Sequence, residues 1–209
     1  MTAGLASVLA GARILPVLTV PSVANAGPLA DALTAGGARC AEVTLRGPDA
    51  EHVMKTMAAH GGLAVGAGTV LTPDQAERAV AAGARFVVSP GYDAEVVARC
   101  RELDVPVVPG VATATELMCA LRAGLDTVKL FPAEPLGGTG MLKALAAPFP
   151  QARFLPTGGI GPAHLSGYLS HPAVLAVGGS WMATTGHLER GDYDGIRRLT
   201  AEALERSRG

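Results

Sequence analysis

Eight short apolar runs, each closed by glycine or proline and followed by an alanine- and leucine-rich stretch of helical period, recur along the whole chain. This alternation constrains the fold more than any single residue does. The runs are Ile14 to Val20, Cys40 to Leu45, Ala64 to Val70, Phe86 to Pro90, Val105 to Val111, Thr127 to Pro132, Arg153 to Thr157 and Val174 to Gly178. Strands this short and this apolar are covered on both faces, the pattern of a parallel sheet clothed by helices. Helix starts are marked by Thr72-Pro73 before Asp74, by Thr113 with Glu116 three residues on, and by Asp192 before the last helix. Gly36, Gly83 and Gly124 stand where helices should stop.

Eight such units in 209 residues average about 26 residues each, the compact end of the range for a closed β/α barrel. An open doubly wound sheet would place a glycine-rich phosphate turn after its first strand. Here that strand runs into Pro21-Ser22-Val23, and glycine pairs close the last two strands instead. The expected fold is α/β, a single-domain (β/α)8 TIM barrel over residues 1–209.

Aromatic residues make up only 4% of the chain, which suits small buried strands under alanine-rich helices better than a sandwich of large side chains. A net charge of -1, with no block of Lys or Arg, offers no footprint for nucleic acid or for an anionic membrane, so the expected partner is a small molecule. Met1 to Gly11 has neither a basic start nor an apolar run long enough for a leader or a spanning helix, which predicts a cytoplasmic protein. Cys40, Cys100 and Cys119 are odd in number and lack CxxC spacing, so they are read as small core residues without disulfide or zinc. His52, His60, His164, His171 and His187 show no HxH or HExxH spacing and are read as surface residues. Neither a metal nor a cofactor is expected.

In a β/α barrel the reacting groups come from the carboxyl ends of strands. Side chains alternate along a strand, so Glu42, Thr44 and Arg46 share one face, and Thr127, Lys129 and Phe131 share another. Their apolar neighbours Val43, Leu45, Val128 and Leu130 must face the helices, which points Glu42, Arg46 and Lys129 into the interior. Of the three lysines, Lys55, Lys129 and Lys143, only Lys129 lies in a strand. A nucleophilic amine must be neutral: burial favours that form, and a neighbouring carboxylate opposes it. Two readings follow. Lys129 and Glu42 are either a structural buried ion pair or part of a reactive site. Arg46 separates them, being a surplus cation in the first and a bidentate carboxylate ligand for a substrate in the second. Gly158-Gly159 and Gly178-Gly179 bare backbone N–H groups after strands seven and eight, with Ser180 as a further donor, where barrels commonly bind phosphate; the bland alternative is two tight turns.

Five segments, Glu42-Val43-Thr44-Leu45-Arg46, Val65-Gly66-Ala67-Gly68-Thr69-Val70, Lys129-Leu130-Phe131-Pro132-Ala133-Glu134, Pro156-Thr157-Gly158-Gly159-Ile160 and Gly178-Gly179-Ser180-Trp181, occur in this order over nearly the whole chain. Together they resemble the 2-keto-3-deoxy-6-phosphogluconate aldolases, known also as 4-hydroxy-2-oxoglutarate aldolases. The resemblance implies a class I aldolase of the Entner-Doudoroff route, a homotrimer without cofactor, releasing pyruvate and glyceraldehyde 3-phosphate from a phosphorylated 2-keto acid. Carried over by motif, Lys129 is the Schiff-base residue and Glu42 the acid/base. Arg46 is the ligand of the pyruvyl carboxylate, helped by Thr69, and Phe131 and Pro90 are pocket walls. Gly158, Gly159, Gly179 and Ser180 hold the phosphate. Thr157 implies the gluconate substrate, because relatives acting on the galactonate epimer tend to carry an apolar residue there. Rival readings on the same scaffold are an epimerase using Glu42 without covalent chemistry, and a non-catalytic phosphosugar-binding barrel. Within the aldolases, 4-hydroxy-2-oxoglutarate is the alternative substrate.

Overall fold

The apolar runs become parallel strands and the periodic segments between them become helices. The computed structural model describes residue 9, residues 11–47 and residues 49–208; most of the Met1 to Gly11 segment, on which the absence of a leader was argued, lies outside these residues. The elements are β1 (Ile14–Leu18), α1 (Ala26–Ala35), β2 (Cys40–Thr44), α2 (Ala50–His60), β3 (Ala64–Gly68), α3 (Pro73–Ala81), β4 (Val87–Val88), α4 (Ala94–Glu102), β5 (Val107–Val108), β6 (Gly110–Val111), α5 (Ala114–Arg122), β7 (Thr127–Leu130), α6 (Gly138–Ala146), β8 (Arg153–Phe154), α7 (Leu165–Leu169), β9 (Val177–Gly179), α8 (Thr185–Glu189) and α9 (Tyr193–Arg206). The run Val105 to Val111 is split in two at Pro109. Proline has no N–H to give a ladder, yet the Pro109 carbonyl accepts from Lys129 N at 2.9 Å. A second helix, α9, follows the last strand, where one helix was expected.

Six strands pair in the order β5-β4-β3-β2-β1-β9 and three in the order β6-β7-β8, with every pairing parallel. Neighbours in the sheet are therefore neighbours in the chain, except that β9 returns beside β1. Two single bridges, Phe154↔Val174 and Thr157↔Gly178, run between the ends of β8 and the β9 segment. The sheet is curled. An apolar cluster of Leu15, Cys40, Ala64, Phe86, Val88, Val108 and Ala176 lies along the six-stranded sheet, joined by Leu155 from the position after β8. The other parity of each strand, as in Ala41, Val43, Val65 and Val87, or Val128, Leu130 and Phe154, packs outward in two clusters shared with the helices.

The helix signals are realised as hydrogen bonds. Thr72 caps α3 by accepting from Gln75 N, and Asp192 caps α9 by accepting from Gly195 N at 2.9 Å. Thr113 and Glu116 form the expected capping box on α5, with Glu116 Oε2 accepting from Ala112 N at 2.7 Å and Thr113 N at 2.9 Å. At the end of α1 it is Gly37, at φ +92°, and not Gly36 that takes the left-handed conformation. Cys40 and Cys100 are buried, and desolvation pushes their thiols up to about 12 and about 11. Cys119 departs from its reading as a core residue: it is half-buried on α5, beside the Arg122 guanidinium. Of the histidines, His52, His60 and His164 are exposed, whereas His171 and His187 are half-buried. Among the described residues no helix is long and apolar enough to cross a membrane.

The capping box makes a testable contribution. The Ala112 and Thr113 hydrogen bonds hold the Glu116 carboxyl below the usual carboxylate range. A carboxyl depressed in the folded state stabilises above its unfolded pKa, and that contribution is lost as pH falls through the folded value. Thr113→Ala should cost about 1 kcal/mol in urea denaturation at neutral pH. The Glu116→Gln penalty should shrink as the pH of the same experiment is lowered through the acidic range.

Candidate active site

Glu42 stands in the middle of β2 and Lys129 in β7, in different sheets, and the interior brings them together. Lys129 Nζ lies 3.2 Å from Glu42 Oε1 and 5.2 Å from the centroid of the Phe131 ring. Lys129 is 5% exposed and Glu42 is 0% exposed. The alternation that sends Val128 and Leu130 to the helices aims Lys129 inward, and Ala41 and Val43 do the same for Glu42. Among the described residues, Glu42 Oε2 is buried without a hydrogen-bond partner. A pair kept for stability satisfies its lone pairs, and an unsatisfied buried acceptor costs about 1–3 kcal/mol. The arrangement sets an amine beside a carboxylate, both buried in the interior.

Space for the carboxylate comes from β3. Gly66 and Gly68 pair in register with Glu42 and Thr44. A Cβ at Gly68 would strike the Glu42 carboxylate, and one at Gly66 would strike the Phe86 ring. Sequence reasoning gave these two glycines no role, although glycines two apart inside a strand signal a close approach on one face. It also missed a hydroxyl pair at the ends of β1 and β2. Buried Thr44 Oγ1 donates to Leu18 O at 3.0 Å and lies 2.9 Å from Thr19 Oγ1.

The remaining candidate residues follow the carboxyl ends of the strands. Thr69, half-buried just past β3, has φ +59°, a strained conformation for a β-branched residue. Pro90 is half-buried after β4, where its backbone leaves no room for a side chain at Gly110. Phe131 is half-buried directly after β7. Thr157 is 6% exposed and donates through Oγ1 to Leu155 O at 3.3 Å. Gly158 and Gly159 follow at φ +103° and +77°, a conformation that excludes most side chains. Among the described residues the Gly159 N–H has no acceptor, whereas the Thr157↔Gly178 bridge turns the Gly158 N–H towards Gly178 O, and Gly158 O accepts from Glu134 N at 3.0 Å.

Two placements differ from expectation. Arg46 was read as sharing the inward face of Glu42, but β2 ends at Thr44. The chain turns at Leu45 and Arg46, so strand alternation no longer applies, and the Arg46 side chain is exposed at the mouth. Gly178 and Gly179 were read as closing the eighth strand and baring their N–H groups past it, whereas both are buried inside β9. The Gly178 N–H is used up on Pro156 O at 2.9 Å. Gly179 sits where a Cβ would strike Trp181, and Ser180 is exposed just past the strand. Among the described residues the Gly159 N–H and Ser180 are the donors left without a partner at these two strand ends. Among the described residues no three His, Cys, Asp or Glu side chains gather as a metal site would require.

Known proteins resemble this chain over most of its length. The model of the KDPG and KHG aldolase family matches residues 5–199. The 2-dehydro-3-deoxy-phosphogluconate aldolase of Treponema pallidum (strain Nichols) is 48% identical over 194 residues, covering 92% of this chain and 92% of that protein. A crystal structure of KDPG aldolase from Legionella pneumophila, with pyruvate captured at low pH as a covalent carbinolamine intermediate, superposes with a TM-score of 0.92 at 40% identity, covering 95% of this chain and 97% of that one. The 2-keto-3-deoxy-6-phosphogluconate aldolase of Zymomonas mobilis ZM4, crystallised with 3-phosphoglycerate, gives a TM-score of 0.90 at 43% identity over 95% of this chain and 93% of that one.

The clearance at Gly68 can be tested without any substrate. Gly68→Ala should destabilise by about 1–3 kcal/mol through overpacking against Glu42. In a double-mutant cycle by urea denaturation, Glu42→Ala should recover more than about 1 kcal/mol of that loss, because it removes the group the new methyl strikes. Strict additivity would show that the two side chains do not meet.

Proposed function

The chain belongs to the KDPG and KHG aldolase family, and from that membership we propose that it is a class I aldolase cleaving 2-dehydro-3-deoxy-6-phosphogluconate to pyruvate and glyceraldehyde 3-phosphate through a Schiff base on Lys129. The observation that carries the residue assignment is the buried contact of Lys129 Nζ with Glu42 Oε1 at 3.2 Å, with Glu42 Oε2 unengaged. The covalent pyruvate adduct of the Legionella relative supports the same chemistry.

On this reading the Lys129 amine attacks the C2 ketone, and loss of water from the carbinolamine leaves an iminium. Glu42, directly or through a water, removes the C4 hydroxyl proton. The C4–O electrons become the aldehyde carbonyl, the C3–C4 bond breaks, and its electron pair passes into the iminium to give an enamine. Glu42 returns a proton to the enamine carbon, and hydrolysis releases pyruvate and regenerates the amine. Arg46 at the mouth and Thr69 receive the pyruvyl carboxylate, while Phe131 and Pro90 wall the pocket. The Gly158-Gly159 turn, with its unpaired Gly159 N–H, and Gly179 and Ser180 at the neighbouring strand end receive the phosphate. These free donors favour the phosphorylated substrate over 4-hydroxy-2-oxoglutarate, and Thr157 favours the gluconate over the galactonate epimer.

The same proposal takes the two sheets as arcs of one closed (β/α)8 barrel forming a single domain. Supporting it are the one-residue break at Pro109, the bridge Thr157↔Gly178 and the apolar cluster in which Leu155, next after β8, joins residues of the six-stranded sheet. Assembly as a homotrimer and a cytoplasmic location belong to the same reading, and sedimentation velocity tests the former.

The decisive experiment is intact-mass spectrometry after incubation with pyruvate and borohydride, with peptide mapping of the adduct. One pyruvyl adduct on Lys129, absent from Lys129→Ala along with turnover, is expected. Glu42→Gln should still be trapped but should turn over about 10²- to 10⁴-fold more slowly, the usual worth of a general base. No adduct, or one on Lys55 or Lys143, would put an epimerase or a binding barrel in its place.

A further inference from the structure

We infer that Tyr168 and Glu134 form a positioning pair that holds the Gly158-Gly159 loop in its anion-receiving shape and so sets the preference for phosphorylated over unphosphorylated 2-keto acids; the inference rests on the reading of that loop as the phosphate site. Glu134 lies five residues beyond Lys129, and its segment is laced to the loop. Ala133 N donates to Thr157 O at 2.8 Å and Glu134 N donates to Gly158 O at 3.0 Å. Both bonds hold the loop by its carbonyls and leave the Gly159 N–H free. Packing follows the same line. A Cβ on Gly159 would lie 2.8 Å from Glu134 Cβ, and one on Gly158 would lie 3.1 Å from Pro132 Cα, so the loop rests directly on this segment.

Glu134 is itself held from α7, the first α-helix after the loop. The Tyr168 hydroxyl donates to Glu134 Oε1 at 2.6 Å, a short charge-assisted bond from a residue with 0% exposure. Burial first, and the Glu134 carboxylate second, push the Tyr168 phenol above its ordinary range, so it stays a donor throughout the working pH range. His164 Nε2 lies 3.9 Å from the other oxygen, Glu134 Oε2. The chain thus closes a circuit: from Lys129 to Glu134, across to the glycine loop, on to Tyr168, and back to Glu134.

This hydrogen bond is needed because packing alone leaves Glu134 room to move. Its side chain is 30% exposed and borders a cavity of about 410 Å³ shared with Gly137, Thr139, His164 and Ser166. Without the Tyr168 hydroxyl, the carboxylate is free to enter that space, and the Glu134 backbone that donates to Gly158 O loses its side-chain anchor. A purely structural tie would lower stability and depress every activity alike, whereas a positioning pair acts on the phosphate end only.

The test uses the full chain as Tyr168→Phe and Glu134→Ala, with Glu134→Gln as the conservative variant whose amide oxygen still accepts from the phenol. For Tyr168→Phe and Glu134→Ala, kcat/KM for the phosphorylated substrate should fall about tenfold, mainly through KM. Activity on 4-hydroxy-2-oxoglutarate and pyruvate trapping should change by less than about twofold, and Glu134→Gln should stay within about threefold of the parent protein. Calorimetric binding of inorganic phosphate should weaken in parallel with KM. Equal losses on both substrates, or unchanged phosphate binding in folded Tyr168→Phe, would overturn the inference. Phosphate binding does not require the imine. If the parent protein traps no pyruvate but Tyr168→Phe still weakens phosphate binding, the aldolase reading fails and the positioning pair stands.

Discussion

The Lys129–Glu42 contact is the constraint on which the rest of the structure depends, because it joins two sheets that share no long ladder. Two charged groups are placed where water is excluded, and a desolvation cost of several kcal/mol per ion is met only in part by one 3.2 Å hydrogen bond. The strands around them supply no further polar partner for Glu42 Oε2. The surrounding apolar layers must therefore over-determine the geometry, and they do so from both sides. Strand residues of one parity fill the interior beneath the pair, and those of the other lock each strand to its helix. A site that is poor as a stabilising ion pair is maintained by packing that does not itself take part in the chemistry.

That division explains why the sequence was informative where it was. Strand and helix positions follow from local alternation, a property written into each short segment, and all eight apolar runs contain observed strands that differ mainly at their ends. The same alternation pointed Glu42 and Lys129 inward. It failed for Arg46 because alternation holds only while the backbone stays extended, and the turn after Thr44 ends that two residues before the arginine. It failed for Gly178 and Gly179 because a glycine pair reads the same inside a strand as beyond it. Only the hydrogen bond from Gly178 N to Pro156 O separates the two cases.

Other features were invisible for a different reason. The clearance that Gly68 gives Glu42, the Thr19–Thr44 hydroxyl pair and the Tyr168–Glu134 bond each join residues from separate strand-helix units, 25 to 34 positions apart in the two hydrogen-bonded pairs. No period in the sequence encodes them. Conversely, the capping box at Thr113 and Glu116 spans three residues and was legible in full. Interactions closed within one unit can be read from the chain, and those between units need the fold.

This separation bears on how the activity itself is built. On the proposed reading the reacting pair sits in the buried interior, where the dielectric strengthens every charge interaction but little room is left for adjustment. The glycine loop sits at the rim, where Gly159 is exposed and the loop's shape is held by neighbouring segments. Binding energy gained at the rim is remote from the bond that breaks, and it accelerates the reaction only if the loop and Lys129 keep a fixed relation as the imine forms. The segment from Lys129 to Glu134 supplies that relation, because it carries the amine at one end and supports the Gly158-Gly159 loop at the other. On that reading a phosphate drawn into the loop bears on the same stretch of backbone that carries the proposed nucleophile.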